Sequence, residues 1–401
     1  FHMYPVLGGG NSSIGANSEY TQSNFGTKTA QDAFGEFAKG SMDLLKQYGV
    51  DTYEIINEPN LSREITAPVY AGILKSVNEK TKPYYPQFKI AGPTTSEVPV
   101  ASDDAYIPLL FKNGGLDDLD IVAVHPYNWR FAPEYSGSFE RLTKLRELCV
   151  QYGKPDIEIW GTENGYTTSM TKNPAMGKVG NDTGLAGQAA WQTRFVVMTL
   201  AEKLLSKVFV YSMHDYYDRT NAEHKFGLST GYRSAYDQFA AKPVLIALAN
   251  ASHILNKADC TDKIVAEDQS TYAYRFDAPG EEDVIAMWST NTRDALTLSL
   301  GANEVTFVDM YGNEQKLYSN DGIYDFVLDG TISYIKGKFA SFEKVTPRIV
   351  HQNMNIAAVC DDDVQYSIVN DSGMDISVTA EDGEGVEIIS NPVFSGNTAV
   401  G

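Results

Sequence analysis

The sequence predicts an α/β fold: a (β/α)8 barrel followed by an antiparallel β-sandwich. Three observations carry this expectation. Apolar strand-like runs alternate with amphipathic helical stretches up to about residue 258. Two of those strands stop abruptly in a glutamate set beside amide or hydroxyl side chains, at Asn57-Glu58-Pro59 and at Thr162-Glu163-Asn164. From residue 259 the pattern changes to short strands separated by Asn/Asp-Gly turns, as in a β-sandwich.

Composition bounds the answer. At 401 residues the chain has room for more than one domain, and 43% apolar with 21% charged residues is ordinary for a globular protein. The net charge of −20 argues against nucleic acid and against an anionic membrane surface, since both repel an acidic protein. Cys149, Cys260 and Cys360 are odd in number and far apart, which excludes a disulfide framework and a zinc cluster. No apolar run approaches a membrane span. Asp361-Asp362-Asp363 lacks the spaced ligands of a calcium loop, so no metal and no cofactor is expected.

The elements follow in order. Met3–Leu7 reads as a strand running into Gly8-Gly9-Gly10, and the polar stretch 12–27 is long enough to face a substrate. Residues 29–48 have helical spacing and stop at Gly49. Tyr53 to Ile56 is a buried strand that Pro59 must end, because proline cannot donate to a ladder. Helices are then expected over 69–79, 106–112, 139–152, 185–205 and 238–255. Strands are expected over 88–92, where Gly92-Pro93 closes the run, over 121–124, over 157–163 and over 207–214. Strands and helices of these lengths, in alternation, make right-handed β-α-β units around a parallel sheet.

Six β-α units can be counted, whereas a closed barrel of this kind needs eight strands. If Met3–Leu7 is the third strand, the first two lie upstream of Phe1, together with a signal region directing the protein to secretion or the cell surface. The expected domains are residues 1–258, 259–347 and the start of a further β-rich module at 348–401.

Glu58 and Glu163 lie three β-α units apart, so they meet only across the mouth of a barrel. A carboxylate at one strand end is commonly a solvated or capping residue. Two of them, each delivered to the rim by an apolar strand, supply the proton donor and the nucleophile that glycosidic bond cleavage requires. His125 and Tyr127 end the strand at 121–124, with Pro126 fixing the aim of both rings. Tyr211 and His214 end the strand at 207–214, where a ring can pack on the apolar face of a sugar. Trp129, Trp160 and Tyr166 are further stacking candidates, each equally suited to core packing, and Glu223 lies on a polar loop.

Tyr53–Asn60 and Trp160–Gly165 resemble the fourth- and seventh-strand motifs of clan A retaining glycoside hydrolases. Met213–Leu228 and the Asp309–Asn313 turn are similar to family 39 and its relatives, and the likeness runs from about Met3 to Pro347. The resemblance implies a carbohydrate substrate, Glu58 as acid/base, Glu163 as nucleophile and Asn57 as donor to the sugar 2-hydroxyl. It also implies that Tyr or His near His125 bonds the nucleophile or lines the sugar subsite. In the clan an aromatic platform often ends the eighth strand; this strand carries no Trp there, so Tyr211 or His214 would take that place. Two other readings stay open: a carbohydrate-binding barrel without activity, and an inverting glycosidase using the same carboxylates at greater separation.

Overall fold

The computed structural model describes residues 2–8, 25–129, 131–169, 172–173, 178–179, 184–216, 222–231, 239–291, 293–346, 349–351, 367–370, 393–395 and 398–400. It divides into two compact units, Phe1–Ala251 and Ser252–Gly401. Most of the polar stretch 12–27, and Asp361–Asp363, fall outside the described residues.

The first unit is built on six parallel strands hydrogen-bonded in chain order: β1 (Val6–Leu7), β2 (Thr52–Ile55), β3 (Lys89–Ser96), β4 (Ile121–His125), β5 (Glu158–Asn164) and β6 (Lys207–Val210). Helices α1 (Lys28–Leu45), α2 (Ala67–Thr81), α3 (Tyr106–Lys112), α4 (Ser138–Gln151) and α5 (Gly184–Ala201) connect them, and α6 (Pro243–Ile254) follows. Thr27 caps α1, its Oγ1 accepting from the Ala30 N–H at 3.3 Å.

Side-chain alternation sorts the sheet into two faces. Tyr53, Ile55, Ile90, Val122, Val124 and Ile159 pack outward with Ile73, Leu74, Val77, Leu110, Leu142 and Leu145 of the helices. Burying each of the Ile, Leu and Val side chains among these stabilises the fold by about 1.5–3 kcal/mol. Ala91, Ile121, Ala123 and Trp160 face inward, packed by Tyr4 and Phe209. Both faces are covered, which is why the strands read as near-continuous apolar runs.

The described residues form six parallel strands, the number counted in the sequence and two fewer than a closed barrel needs. They form a curled six-stranded sheet whose edge strands, β1 and β6, are not hydrogen-bonded to each other. Strand twist, with helices on the outer face, curls the sheet until side chains from its two edges meet on the inner face. The Tyr4 ring lies 5.3 Å from Phe209 and 5.3 Å from Trp160.

Two strand limits also differ from expectation. β3 continues past Gly92-Pro93 to Ser96, because a register shift between Pro93 and Thr95 accommodates the residue that lacks an N–H. β6 ends at Val210, and beyond it only His214 makes an isolated bridge, to Ser229.

The second unit contains a β-sandwich. One antiparallel sheet has six strands, from Asp259–Val265 at one edge to Glu314–Tyr318 at the other. The other has three, with Asp294–Ser299 between Ile323–Leu328 and Glu343–Lys344. Ile285, Met287 and Ile335 of the first sheet pack against Leu296, Leu298, Phe326 and Leu328 of the second. Four further strands, Ile349–His351, Ser367–Asn370, Val393–Ser395 and Thr398–Val400, make a separate antiparallel sheet. Among the described residues no helix is long and apolar enough to cross a membrane.

Candidate active site

β2 stops where the sequence places Asn57-Glu58-Pro59, and its backbone is held there in an unusual conformation. Ile56 and Glu58 have φ of 57° and 44°, and Thr94, Glu97 and Trp129 at the ends of neighbouring strands have φ of 48°, 60° and 51°. Positive φ costs a non-glycine residue about 1–3 kcal/mol, and most for β-branched side chains such as Ile56 and Thr94. The rim retains it because the backbone is tied from several sides. The Glu58 N–H donates to Thr94 O at 3.1 Å, and the Ile56 N–H donates to Leu7 O at 2.8 Å. Thr94 Oγ1 donates to Ile56 O at 3.1 Å, and the Tyr70 hydroxyl donates to Ile55 O at 2.5 Å.

These ties turn Glu58 toward His125 at the end of β4. His125 Nδ1 lies 3.1 Å from Glu58 Oε1 and 3.5 Å from Glu163 Oε2, so one ring nitrogen sits between the two carboxyls. The Tyr127 hydroxyl donates to Glu163 Oε2 at 2.9 Å. An oxygen of Glu58, an oxygen of Glu163 and a ring nitrogen of His125 all lie within 4.8 Å of one another. This is the one carboxylate–imidazole grouping among the described residues whose spacing would also admit a metal ion. His125 is fully buried, whereas the Glu58 and Glu163 side chains are 17% and 29% exposed, so the carboxyls are the groups open to an incoming molecule.

β5 delivers Glu163 and locks its own end onto β4. Asn164 Nδ2 donates to Pro126 O at 2.8 Å, and its Oδ1 accepts from Gln192 Nε2 at 2.8 Å. Gly165 follows because nothing larger fits: a Cβ there would lie 2.2 Å from Tyr211 O and 2.9 Å from the Phe226 ring.

The electrostatics separate the groups. Burial raises Glu163 above the usual glutamate value, with the charges of Glu58 and Glu223 adding to it, while His125 and the Tyr127 hydroxyl pull it down. Burial opposes the imidazolium of His125, but Glu58, Glu163 and Glu54 outweigh it and raise the ring above its ordinary value. Tyr127 is raised far by burial and by Glu163, so it stays a proton donor.

The remaining candidates divide. The Tyr127 ring stacks on Trp129 at 4.8 Å and meets the edges of Tyr211 and Phe226 at 6.4 and 6.0 Å. Trp129 Nε1 donates to Glu97 Oε1 at 2.8 Å. The Tyr211 hydroxyl faces the Glu223 carboxylate, whose charge also reaches Glu163. Asn57 is half-buried beside Glu58. The structure thus gathers Asn57, Glu58, His125, Tyr127, Trp129, Glu163, Tyr211 and Glu223 at one end of the sheet.

Trp160 and His214 lie elsewhere. Trp160 packs into the inner core, and its N–H donates to Glu158 Oε2 at 2.8 Å. His214 is exposed and sits edge-on to Phe239 at 5.6 Å. Tyr166 is core as well, with its hydroxyl on Phe131 O at 3.2 Å.

Glu54, Tyr4, Glu97 and Phe226 were not among the sequence candidates. Of these only Glu54 left a trace, as a charge inside an otherwise apolar strand.

The fold has known relatives. The chain superposes on a family 39 glycoside hydrolase from the gut symbiont Bacteroides cellulosilyticus WH2 with a TM-score of 0.69 and 20% identity, over 83% of this chain and 67% of that one. The catalytic domain of the GH30 xylanase C from Talaromyces cellulolyticus gives 0.53 and 13%, over 84% and 76%. A monomeric β-xylosidase from Caulobacter crescentus CB15 gives 0.52 and 14%, over 84% and 81%. The chain shares its fold with clan A glycoside hydrolases. No protein-family model matches the sequence, and no curated protein matches it.

Proposed function

We propose that the protein is a retaining β-glycosidase that hydrolyses O-glycosidic bonds of oligo- or polysaccharides, with Glu58 as acid/base and Glu163 as nucleophile. The observation that carries this reading is the small gap between the two carboxyls, whose closest oxygens are within 4.8 Å. Double displacement works at about 5–5.5 Å, whereas inversion needs about 6.5–9.5 Å to admit a water between carboxylate and sugar. The shared fold agrees with it.

The chemistry follows from the contacts. Glu163 attacks the anomeric carbon while Glu58 gives its proton to the departing oxygen, and a glycosyl ester forms on Glu163. Tyr127 and His125 hold Glu163 ionised and aimed before attack. Once the ester forms, the charge on Glu163 is gone, and Glu58 accepts a proton from the incoming water. Asn57 stands beside Glu58, where the family resemblance puts a donor to the sugar 2-hydroxyl. The Tyr127–Trp129–Tyr211 cluster supplies ring faces and edges for the sugar. Glu97 and Glu223 add negative charge to the rim and favour neutral sugars over uronic acids.

Two relatives are named for xylan chemistry, a xylanase and a β-xylosidase, so aryl β-xylosides come first among substrates to test. A screen of nitrophenyl β-glycosides should find turnover that Glu163→Ala abolishes. In Glu58→Ala, turnover of a good leaving group should partly persist, and azide should restore rate with formation of a β-glycosyl azide. Turnover unaffected by either substitution would refute the assignment; binding without turnover of any glycoside would favour an inactive carbohydrate-binding barrel.

A further inference from the structure

Beneath the two reacting carboxyls lies a third, which neither bond making nor bond breaking uses. Glu54 sits on β2 four residues before Glu58 and is 2% exposed. Its neighbours in sequence, Tyr53 and Ile55, belong to the outer core, so alternation turns Glu54 to the inner face. There it faces the Tyr4 hydroxyl, the Thr162 hydroxyl and His125. Glu54 Oε2, the Tyr4 hydroxyl, Thr162 Oγ1 and His125 Nε2 are all buried, and none makes a hydrogen bond of ordinary geometry among the described residues. Buried polar atoms are nearly always satisfied, so four of them gathered about Glu54 without hydrogen bonds of ordinary geometry are a departure that needs a cause.

His125 supplies the cause. Its Nδ1 faces Glu58 and Glu163, which turns Nε2 away from them into this buried layer. A neutral ring carrying its proton on Nδ1 would present Nε2 as an acceptor and call for a hydroxyl, not a carboxylate, below it. An imidazolium carries a second proton on Nε2, and a carboxylate beneath it is the group that stabilises that charge.

We propose that Glu54 is a positioning residue of the reaction: it is the counter-charge beneath His125 that keeps the ring protonated, so that its Nδ1–H stays directed between Glu58 and Glu163. This rests on the reading of those two glutamates as the reacting pair. Through the cycle Glu163 loses its charge to the ester while Glu58 gains one, and a fixed imidazolium between them can bias its hydrogen bond from one to the other. When pH rises, the Nε2 proton leaves to solvent, and the imidazolium–carboxylate pair becomes a neutral imidazole beside a carboxylate, one unit more negative than before.

The charged and titratable groups around this pair come from every element packed on it. They are Tyr4 before β1, Glu54 and Glu58 from β2, Tyr70 from α2, Glu97 after β3, Tyr127 after β4 and Glu163 from β5. Burial raises Glu54 to about 7, with Glu163 adding to it and His125, Tyr4 and Thr162 opposing, so its charge is itself set near neutrality.

The test is a nitrogen-15 NMR titration of histidine-labelled full chain, with the His125 signals identified by their loss in His125→Gln. In the wild type the His125 midpoint should lie above the free-imidazole value of about 6.5. In Glu54→Gln it should fall by about one pH unit, a roughly tenfold loss of proton affinity, and the alkaline limb of kcat/KM on a nitrophenyl β-glycoside should fall with it. A wild-type midpoint at or below about 6.5 overturns the proposal without any substitution. An unmoved midpoint in a folded Glu54→Gln, with activity lowered equally at all pH values, overturns it too and leaves Glu54 a packing residue. The titration needs no substrate. A shifted midpoint in a protein that cleaves no glycoside would therefore sustain the counter-charge and sink only the proposed function.

Discussion

His125 and Tyr127 act on Glu163 through a few contacts whose removal has a predictable sign. As the proposed nucleophile, Glu163 must be ionised, and its carboxyl is raised above the usual glutamate value of 4.5. Activity should therefore fall away on the acid side at a pH above about 4.5. Tyr127→Phe removes the 2.9 Å hydrogen bond that favours the carboxylate, so the acid limb of kcat/KM should move to still higher pH. A limb that stays in place would mean that the hydroxyl does not hold the charge.

Glu54 gives a stability signature at the same scale. Its folded value of about 7 exceeds its ordinary 4.5, so its contribution to stability is full below about 4.5 and is lost as pH rises through about 7. The loss is on the order of 3 kcal/mol. Glu54→Gln escapes it, and thermal melts at pH 5 and pH 8 should show the variant gaining on the wild type at the higher pH. Equal gaps at the two pH values would contradict the buried, raised carboxyl.

At the scale of the element, the site depends on strand ends that touch. Gly165 lets the end of β5 lie against the Tyr211 carbonyl, and a methyl group there has nowhere to go. Gly165→Ala should destabilise the fold by about 1–3 kcal/mol, read by urea unfolding, and should lower activity by displacing Tyr211 and Glu163 together. Much at this scale was legible in the sequence. The strand that leads to Glu58, helix α3 and the strand that ends at His125 lie within a residue of their expected limits, because apolar runs and Gly or Pro stops mark their ends. The course of β3 was not legible, since a register shift lets the strand run past a proline that local rules read as a terminator. Nor was Trp160 separable from a stacking residue. An indole beside Gly161 suits a sugar or a core equally, and only the curl of the sheet, which brings Tyr4 and Phe209 onto it, decides for the core.

For the whole molecule, the alternation of strands and helices pointed to a parallel sheet with two carboxyls at one end. It did so because each β-α unit is a local pattern, and adding such units up gives topology. Closure is not local. Six strands curl until the rings of Tyr4 and Phe209 meet, and no window of sequence reports that curl; the count of six strands did point to open edges, and among the described residues β1 and β6 are not hydrogen-bonded to each other. Glu54 escaped notice for a related reason: its significance lies in Tyr4, Thr162 and His125, which three other parts of the chain bring to it. The central claim is that the two carboxyls, with closest oxygens within 4.8 Å, work by double displacement. Proton NMR of the first product formed from a reactive β-glycoside, recorded before mutarotation, tests it most directly. Retention predicts that the β-anomer appears first and the α-anomer only later by equilibration; an α-anomer formed first would mean inversion and would contradict the account.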